Sequence, residues 1–316
     1  MKKTNITNKK IVVTGGAGFL GKFVIKELIS NGADIKNIIV PRSKEHDIRD
    51  LKTTVNLLKD ADIVIHLAAR VGGIGFNQKY PGALFYDNAT MGINIIEASR
   101  INDLEKVVLV GTVCSYPKFT PTPFKEETLW DGYPEETNAP YGVAKKALLV
   151  QGQSYRMQYG MNIIYLIPVN LYGPGDHFDL ENSHVIPALI RKFVEAKERD
   201  DKEVEVWGTG QVSREFLYVE DAARGIVNAT INYDKKEPVN LGTGEEIKIK
   251  DLAELIKEVV KYEGEIIWDT SKPDGQPKRK LDITLAEREF SFKSSIDFKT
   301  GLKNSLLWYL NNQNTE

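Results

Sequence analysis

The sequence has little cysteine, no excess of charge of either sign and no long apolar run. Its single cysteine, Cys114, cannot form an intramolecular disulfide, which excludes a disulfide scaffold. Lys and Arg number 42 against 44 Asp and Glu, a net charge of -2, so no basic excess indicates nucleic-acid binding. No apolar run reaches the roughly 18 residues of a membrane span. The basic start of the chain leads into a short strand rather than a signal peptide, so we expect a cytoplasmic protein without nucleic-acid or membrane partners.

The sequence does contain enough apolar residues for a large core, in alternating strands and helices. Hydrophobic residues make up 41% of the 316 residues, and a chain of this length buries roughly 75% of its unfolded surface. Short apolar runs predict buried parallel strands at 10–14, 37–40, 61–67, 106–111 and 163–168. Helical spacing of apolar residues predicts helices at 19–31, 89–99 and 140–159. We therefore expect an α/β fold, a Rossmann-type doubly wound parallel sheet covered by helices on both faces.

The regular alternation weakens after residue 170, where Gly, Pro and Asn cluster. We expect residues 1–170 to form the Rossmann domain, with the chain returning to it at about 215–240. Residues 171–214 and 241–316 are expected to form a smaller C-terminal α/β domain that binds the substrate.

A glycine-rich turn, Thr14-Gly15-Gly16-Ala17-Gly18-Phe19-Leu20-Gly21, joins the first strand to the first helix. Gly15 suits the tight turn, Gly18 admits a pyrophosphate, and Gly21 lets the helix pack on the sheet. The helix N-terminus, which includes Phe19 and Leu20, then holds the negative charge. The alternative is an ordinary glycine-rich turn, but its place between strand and helix favours a dinucleotide site.

The second strand ends without the acidic residue that would bind the ribose 2′-OH of NAD. Arg42 stands there instead, followed by Lys44, and a guanidinium can pair with a 2′-phosphate. We therefore expect NADP(H); the alternative is that both charges are solvated loop residues. His66 is expected to be a packed residue at a strand end. The adenine, pyrophosphate and ribose are expected near Asp47, Ile48, Leu67, Ala68 and Ala69.

Tyr141 and Lys145 lie four residues apart in the helix that begins near Pro140, so their side chains share one face. An ammonium beside a tyrosine stabilises the phenolate and lowers a phenol pKa that is ordinarily about 10. Thr112, at the end of a predicted strand, adds a hydroxyl group. Cys114 faces the same way as Thr112 if the strand continues; the alternative is a buried packing residue.

These motifs together resemble the short-chain dehydrogenase/reductase superfamily in its extended, sugar-nucleotide form. A more specific resemblance, to the GDP-L-fucose synthase family, covers almost the whole chain. It rests on Val71-Gly72-Gly73-Ile74, Gly111-Thr112-Val113-Cys114-Ser115-Tyr116-Pro117-Lys118, Asn138-Ala139-Pro140-Tyr141, Asn170-Leu171-Tyr172-Gly173-Pro174, Asn182-Ser183-His184-Val185-Ile186-Pro187-Ala188-Leu189 and Ser213-Arg214-Glu215-Phe216-Leu217.

This resemblance implies 3,5-epimerisation and NADPH-dependent 4-reduction of GDP-4-keto-6-deoxy-mannose to GDP-L-fucose. Cys114 and His184 match the epimerisation pair of the family. Tyr141, Lys145 and Thr112 match its reductase groups, with Thr112 in the usual place of a serine. Further cofactor contacts are expected from Tyr141, Lys145, Pro168, Asn170, Leu171 and His184. The GDP-sugar is expected to contact Asn170, Val185, Arg191, Trp207 and Arg214, with Trp207 either stacking on it or packing in the core.

The resemblance also implies a homodimer and no metal. Three alternatives stay open: a related GDP-4-keto-sugar reductase or epimerase that acts on a deoxyheptose or dideoxyhexose, an NAD-dependent 4-epimerase, and, ranked last, a non-enzymatic nucleotide-sensing scaffold. A 4,6-dehydratase is disfavoured because Val113 and Cys114 occupy the positions of its acidic pair.

Overall fold

The central feature of the fold is a parallel sheet whose strands are almost wholly buried. The computed structural model describes residues 3–179, 183–272 and 274–313, so Asn182 of the quoted motif lies outside the described residues. The strands are β1 (Ile11–Thr14), β2 (Ile38–Ile39), β3 (Ile63–His66), β4 (Lys106–Val110), β5 (Ile163–Pro168), β6 (Asn170–Tyr172), β7 (Glu203–Trp207), β8 (Ser213–Arg214), β9 (Phe216–Tyr218), β10 (Val239–Leu241), β11 (Ile247–Lys248) and β12 (Glu265–Asp269).

The helices connect these strands and cover the sheet. They are α1 (Phe19–Ser30), α2 (Leu51–Leu57), α3 (Ile74–Lys79), α4 (Pro81–Ile101), α5 (Ala139–Tyr159), α6 (Val185–Glu198), α7 (Val219–Asn232), α8 (Ile249–Val260), α9 (Thr284–Phe290) and α10 (Phe298–Asn312). Pro140 lies in the first turn of α5, where a missing N–H costs no hydrogen bond, and Gly160 ends it with a φ of +69°.

The main sheet has the strand order β10-β5-β4-β3-β1-β2, and every pairing is parallel. Strands β1, β3, β4 and β5 are buried at every residue and mostly apolar, as expected of strands whose two faces are covered. Helix α1 packs beside α7, and α4 packs beside α5. The predicted Rossmann-type parallel sheet is confirmed.

A second apolar cluster lies around α6, α8, α10 and the parallel pair β7–β12. The first apolar cluster is built around β1, β3, β4 and β5 of the main sheet. It also includes residues of α7 and β10 and, further along the chain, Leu281 and residues of α9. Residues near Leu281 and Phe292, expected in the second unit, therefore pack against the central sheet. The proposed division into two domains stays a prediction. None of the described helices combines the length and apolar character needed to cross a bilayer.

Candidate active site

One large cavity, of about 1300 Å³, opens at the carboxyl ends of the central strands. Parallel α/β sheets bind ligands at this edge, where the strand order reverses. The predicted catalytic residues that line it are Thr112, Cys114, Tyr141, Lys145 and His184. The predicted cofactor residues that line it are Gly15, Gly18, Phe19, Leu20, Gly21, Arg42, Asp47, Ile48, Leu67, Ala68, Ala69, Pro168, Asn170 and Leu171.

The glycine turn after β1 forms an open backbone cradle. Gly15 has a φ of +73°, and a Cβ there would lie 2.8 Å from the backbone nitrogen of Ala68, so the position requires glycine. A Cβ at Gly21 would overlap the carbonyl oxygen of Gly15, because α1 packs closely on the turn. No side chain caps the N-terminus of α1, and its first turn has no acidic residue. The N–H groups at this helix end can therefore bind a phosphate, and the cradle fits a dinucleotide pyrophosphate.

Two charged residues after β2 differ in their partners. Arg42 lines the cavity, and the ion pairs among the described residues do not include it. Asp47 instead pairs with Arg49, at 2.7 Å between Oδ2 and Nη2, and this hydrogen bonding lowers the pKa of Asp47. Arg49 also bonds Asp87. The carboxylate expected near the adenine is thus engaged, whereas the hydrogen bonds and ion pairs within the described residues do not include the Arg42 guanidinium.

His66, at the end of β3, is a packed residue. Its Nδ1 atom lies 2.8 Å from Thr14 Oγ1. Burial, followed by the positive charge of Lys145, holds the His66 pKa well below its ordinary value. A neutral imidazole in this position agrees with the expected structural role.

Tyr141 and Lys145 lie on one face of α5, but Lys145 does not lower the pKa of Tyr141 here. Burial raises the pKa of Tyr141 above its ordinary value, the neighbouring Cys114 raises it further, and a hydrogen bond with Thr112 opposes both. The Lys145 Nζ atom donates to the carbonyl oxygen of Val110 at 3.1 Å, and burial lowers its pKa to about 8. A lowering of the Tyr141 pKa by Lys145 is therefore not seen in this structure, where burial is the largest influence on the phenol.

Cys114 reaches the cavity by a different route from the one expected. Strand β4 ends at Val110, and residues 113–115 form a 3₁₀ turn in which Thr112 Oγ1 accepts a hydrogen bond from Cys114 N at 3.2 Å. The expectation of a continuing strand is wrong because the Thr112 hydroxyl caps this turn. Cys114 is nevertheless half-buried on the cavity wall, so it is not a fully buried packing residue.

An amide network beside Cys114 was missed by the sequence analysis. The Cys114 thiol donates to Asn138 Oδ1 at 3.7 Å, and Asn77 Nδ2 donates to the same oxygen at 3.2 Å. Both amides line the cavity. The only sequence signal was the place of Asn138 three residues before Tyr141.

His184 is the N-cap residue of α6, and its imidazole is open to the cavity. Desolvation by the walls of the cavity is the largest influence on the His184 pKa and lowers it. The positive charges of Arg279 and His177 lower the His184 pKa further. The imidazole is therefore mostly neutral at pH 7, and its protonated form is a ready proton donor.

Two guanidinium groups, those of Arg214 and Arg279, face the cavity, and neither takes part in an ion pair within the described residues. Arg214 donates to the backbone oxygens of Ser213, Gln276 and Asp274 at 2.6–2.9 Å. Burial, and then the charge of Arg279, lower the pKa of Arg214 to about 9. Arg279 itself bonds the side chains of Gln276 and Asn170. Because the bonding partners of Arg214 and Arg279 are neutral, they do not cancel the two positive charges. Such a pair of guanidinium groups suits the binding of a diphosphate. Arg279 was not predicted from the sequence, where its only signal was the basic run 278–280.

The nucleotide residues expected on α6 and β7 differ in placement. Arg191 is not among the residues that line the cavity; its Nε atom pairs with Glu195 Oε1 at 2.6 Å, one turn along the same helix face. The structure thus does not place Arg191 at the expected contact with the GDP-sugar, and the next residue, Lys192, lines the cavity instead. Val185 and Trp207 line it as expected. Trp207 is 55% exposed, with Lys192 and Lys272 near its ring, so core packing does not explain it.

Comparisons with known proteins identify the family. The NAD dependent epimerase/dehydratase family matches residues 11–242. A relative described as probable GDP-L-fucose synthase 1, from Oryza sativa subsp. japonica, is 40% identical over 96% of this chain and 92% of its own length. The chain belongs to the GDP-L-fucose synthase family. This membership confirms the predicted resemblance.

Solved structures agree with this family assignment. A GDP-6-OMe-4-keto-L-xylo-heptose reductase from C. jejuni has a TM-score of 0.92 and 29% identity, and covers 99% of this chain and 100% of its own. A GDP-L-fucose synthetase from Naegleria fowleri, described as bound to NADP, has a TM-score of 0.89 and 31% identity. It covers 99% of this chain and 96% of its own. Chains of the GDP-L-fucose synthase family and of a heptose reductase thus share this fold throughout.

Proposed function

We propose that the protein catalyses 3,5-epimerisation and then 4-reduction of a GDP-4-keto-6-deoxy-sugar, with GDP-4-keto-6-deoxy-mannose as substrate and GDP-L-fucose as product. The observation that carries the proposal is one cavity lined by Cys114 and His184 together with Tyr141, Lys145 and Thr112. The protein is an enzyme that uses NADP(H), as the sequence predicts, and relatives and NADP-bound neighbours confirm this coarser statement.

The chain offers a complete set of residues for the cofactor. The cradle around Gly15 holds the pyrophosphate, and Arg42 pairs with the 2′-phosphate. NADPH, when bound, supplies the hydride that reduces C4 of the sugar. The groups on α5 and after β4 supply the remaining proton chemistry.

Epimerisation depends on the acidity of the C3 and C5 hydrogens. The C4 ketone makes them acidic because the carbanion is delocalised as an enolate. Cys114, as thiolate, removes a proton from one face, while Asn138 orients its sulfur. His184, as imidazolium, returns a proton to the opposite face, and its lowered pKa favours this transfer. The same pair then acts at the second carbon.

Reduction uses a second proton donor. The raised pKa of Tyr141 keeps its phenol protonated at neutral pH, which is the form that donates a proton to the C4 oxygen. Thr112 bonds this hydroxyl, and Lys145 stabilises the phenolate that forms. Arg214 and Arg279 bind the diphosphate, with Asn170, Val185 and Trp207 contacting the rest of the GDP-sugar.

The experiment that tests the proposal is incubation with GDP-4-keto-6-deoxy-mannose and NADPH, with the product identified by NMR. GDP-L-fucose supports the proposal, whereas unchanged ketone contradicts it. The likeness to the C. jejuni heptose reductase favours one second candidate, the 4-reduction of a GDP-4-keto-heptose. Faster NADPH oxidation with that ketone than with the hexose would favour the second candidate.

We also propose that the chain forms a homodimer through α4 and α5, which lie side by side. Apolar side chains exposed on them include Phe85, Ile93, Val150, Met157 and Tyr159. Val150→Glu with Met157→Glu should reduce the sedimenting mass to that of one chain. Leu307→Glu, at an exposed leucine on α10, is the matched control. Cytoplasmic location stays a prediction.

A further inference from the structure

Asn138 is the N-cap residue of α5, but its side chain does not cap the helix. Asparagine is among the best N-cap residues because its side-chain oxygen accepts a hydrogen bond from a free N–H of the first turn. Here that oxygen accepts instead from two other groups, the thiol of Cys114 at 3.7 Å and Nδ2 of Asn77 at 3.2 Å. The oxygen that could cap the helix thus faces the cysteine of the active site.

A buried carboxylate determines which end of the Asn138 amide faces the cysteine. Asn138 Nδ2 donates to Glu135 Oε2, and Thr137 donates to the same carboxylate through N at 3.2 Å and Oγ1 at 2.6 Å. The side chain of Glu135 is buried. A carboxylate only accepts hydrogen bonds, so a turned amide would bring two acceptor oxygens together. Glu135 therefore fixes Oδ1 as the amide atom that faces the sulfur.

The backbone around Cys114 is held against the same helix. The turn 113–115 packs on α5 at Gly142, where a Cβ would lie 2.3 Å from the carbonyl oxygen of Cys114. In the same contact, Ser115 Oγ donates to the carbonyl oxygen of Gly142 at 2.8 Å. The close packing of the turn on the helix therefore sets the position of the sulfur beside the amide of Asn138.

An acceptor that faces the sulfur has two opposite effects on a thiolate base. It stabilises the thiol that forms when the thiolate takes a proton from carbon, because the new S–H group can donate to Oδ1. It also repels the thiolate itself. The thiolate is therefore a stronger base but is less populated at a given pH. The electron pair of the broken C–H bond stays on the sugar as the enolate, and the proton becomes the S–H proton.

We propose that Glu135 is a positioning residue for the epimerisation. Through the amide of Asn138 it keeps a hydrogen-bond acceptor against the sulfur of Cys114, and so makes the thiolate a stronger base. The inference rests on the proposed function for the role of the base, whereas the contact between amide and sulfur can be tested without substrate.

Alkylation by iodoacetamide tests this contact directly, because Cys114 is the only cysteine of the chain. The rate is measured by mass spectrometry across the neutral and alkaline pH range, and NADPH binding shows that each variant is folded. In Glu135→Gln the new side chain can also donate, so the amide can turn and present its N–H to the sulfur. The midpoint of the alkylation profile should move lower by about one pH unit, the worth of one hydrogen bond. Looser packing would instead change the rate equally at every pH.

Two controls separate the amide from other effects of the substitution. Glu136→Gln alters the adjacent carboxylate, which is exposed and pairs with Lys118, and its profile should coincide with that of the wild type. A double-mutant cycle with Asn138→Ala separates the amide from the charge of Glu135. In the Asn138→Ala background, Glu135→Gln should not shift the profile further. An equal shift in both backgrounds would refute the role of the amide.

Deuterium exchange into GDP-4-keto-6-deoxy-mannose from D₂O connects the contact to catalysis. Above the midpoint of its alkylation profile, Glu135→Gln should exchange the C3 and C5 hydrogens about 3–10-fold more slowly than the wild type, because its thiolate is the weaker base. The KM for this sugar nucleotide should stay the same.

The two assays distinguish failure of this inference from failure of the proposed function. An unshifted alkylation profile in Glu135→Gln, or exchange as fast as in the wild type above the midpoint, overturns the role of Glu135 and leaves the proposed function intact. Absence of exchange in the wild type overturns the proposed function and, with it, the catalytic role of Glu135. The alkylation profile then still decides whether Asn138 controls the ionisation of Cys114.

Discussion

Replacing Cys114 by serine separates the two reactions proposed for one cavity. Only the backbone nitrogen of Cys114 takes part in the turn capped by Thr112, so serine preserves that turn. The side-chain oxygen can still donate to Asn138, as the thiol does at 3.7 Å. Tyr141 and Lys145 keep their places on α5. The substitution therefore removes an ionisable base and little else.

The expected loss follows from proton availability. A cysteine thiol can ionise to a thiolate, whereas a serine hydroxyl does not ionise in the physiological pH range. A positioned base contributes about 10²–10⁴-fold to proton transfer. We expect the exchange of C3 and C5 hydrogens to fall by at least about 10²-fold, or about 3 kcal/mol in the barrier.

The assay follows two signals in one reaction mixture. Deuterium exchange from D₂O reports proton removal by Cys114, and NADPH oxidation reports reduction. Cys114→Ser should lose exchange yet slowly reduce the unepimerised ketone to a different sugar. Tyr141→Phe is the matched reverse case, since it lacks the proton donor for C4 but keeps exchange. Normal exchange in Cys114→Ser would refute the role of the thiol as base and leave a plain 4-keto reductase.

Three further predictions concern cofactor, substrate and pH. Arg42→Ala should weaken NADPH binding by about 10–100-fold, the worth of charge-assisted hydrogen bonds; equal losses for NADPH and NADH in calorimetry contradict the 2′-phosphate contact. Arg214→Ala should raise the KM for the GDP-sugar about tenfold or more, and an equal rise in the KM for NADPH would make Arg214 structural. The pKa of Lys145 is about 8 in the folded state and 10.5 in the unfolded state. Between these pH values the unfolded state binds more protons than the folded state, so the free energy of unfolding rises with pH. Urea unfolding of Lys145→Met should lack this rise, and an identical pH dependence in both proteins would rule out the buried, deprotonating lysine.

Local sequence patterns determined the sheet, the turn and the helix that carries Tyr141. A short, continuous apolar run such as 163–168 is typical of a strand that is buried on both faces of a parallel sheet. The conformation of Gly15 and the spacing of Tyr141 and Lys145 are set within a few residues of chain. These features were predictable because neighbouring residues along the chain decide them.

Tertiary structure decided the charges and fine orientations within the site. In α6, Arg191 pairs with Glu195, whereas the adjacent Lys192 lines the cavity. The sequence did not show which of these two neighbouring residues faces the site. Desolvation raised the pKa of Tyr141, and it could not be predicted from the sequence because burial depends on the whole surrounding fold.

The remaining site features join residues that are distant along the chain. Asn77 of α3 and Cys114 in the turn after β4 both bond Asn138 at the start of α5, and Arg279 acts on Arg214 across 65 residues. The sequence by itself determined which chemical groups are present and which local elements hold most of them. Only the tertiary structure decided which groups meet, because hydrogen bonding, charge and desolvation act through space between residues that the sequence order does not bring together.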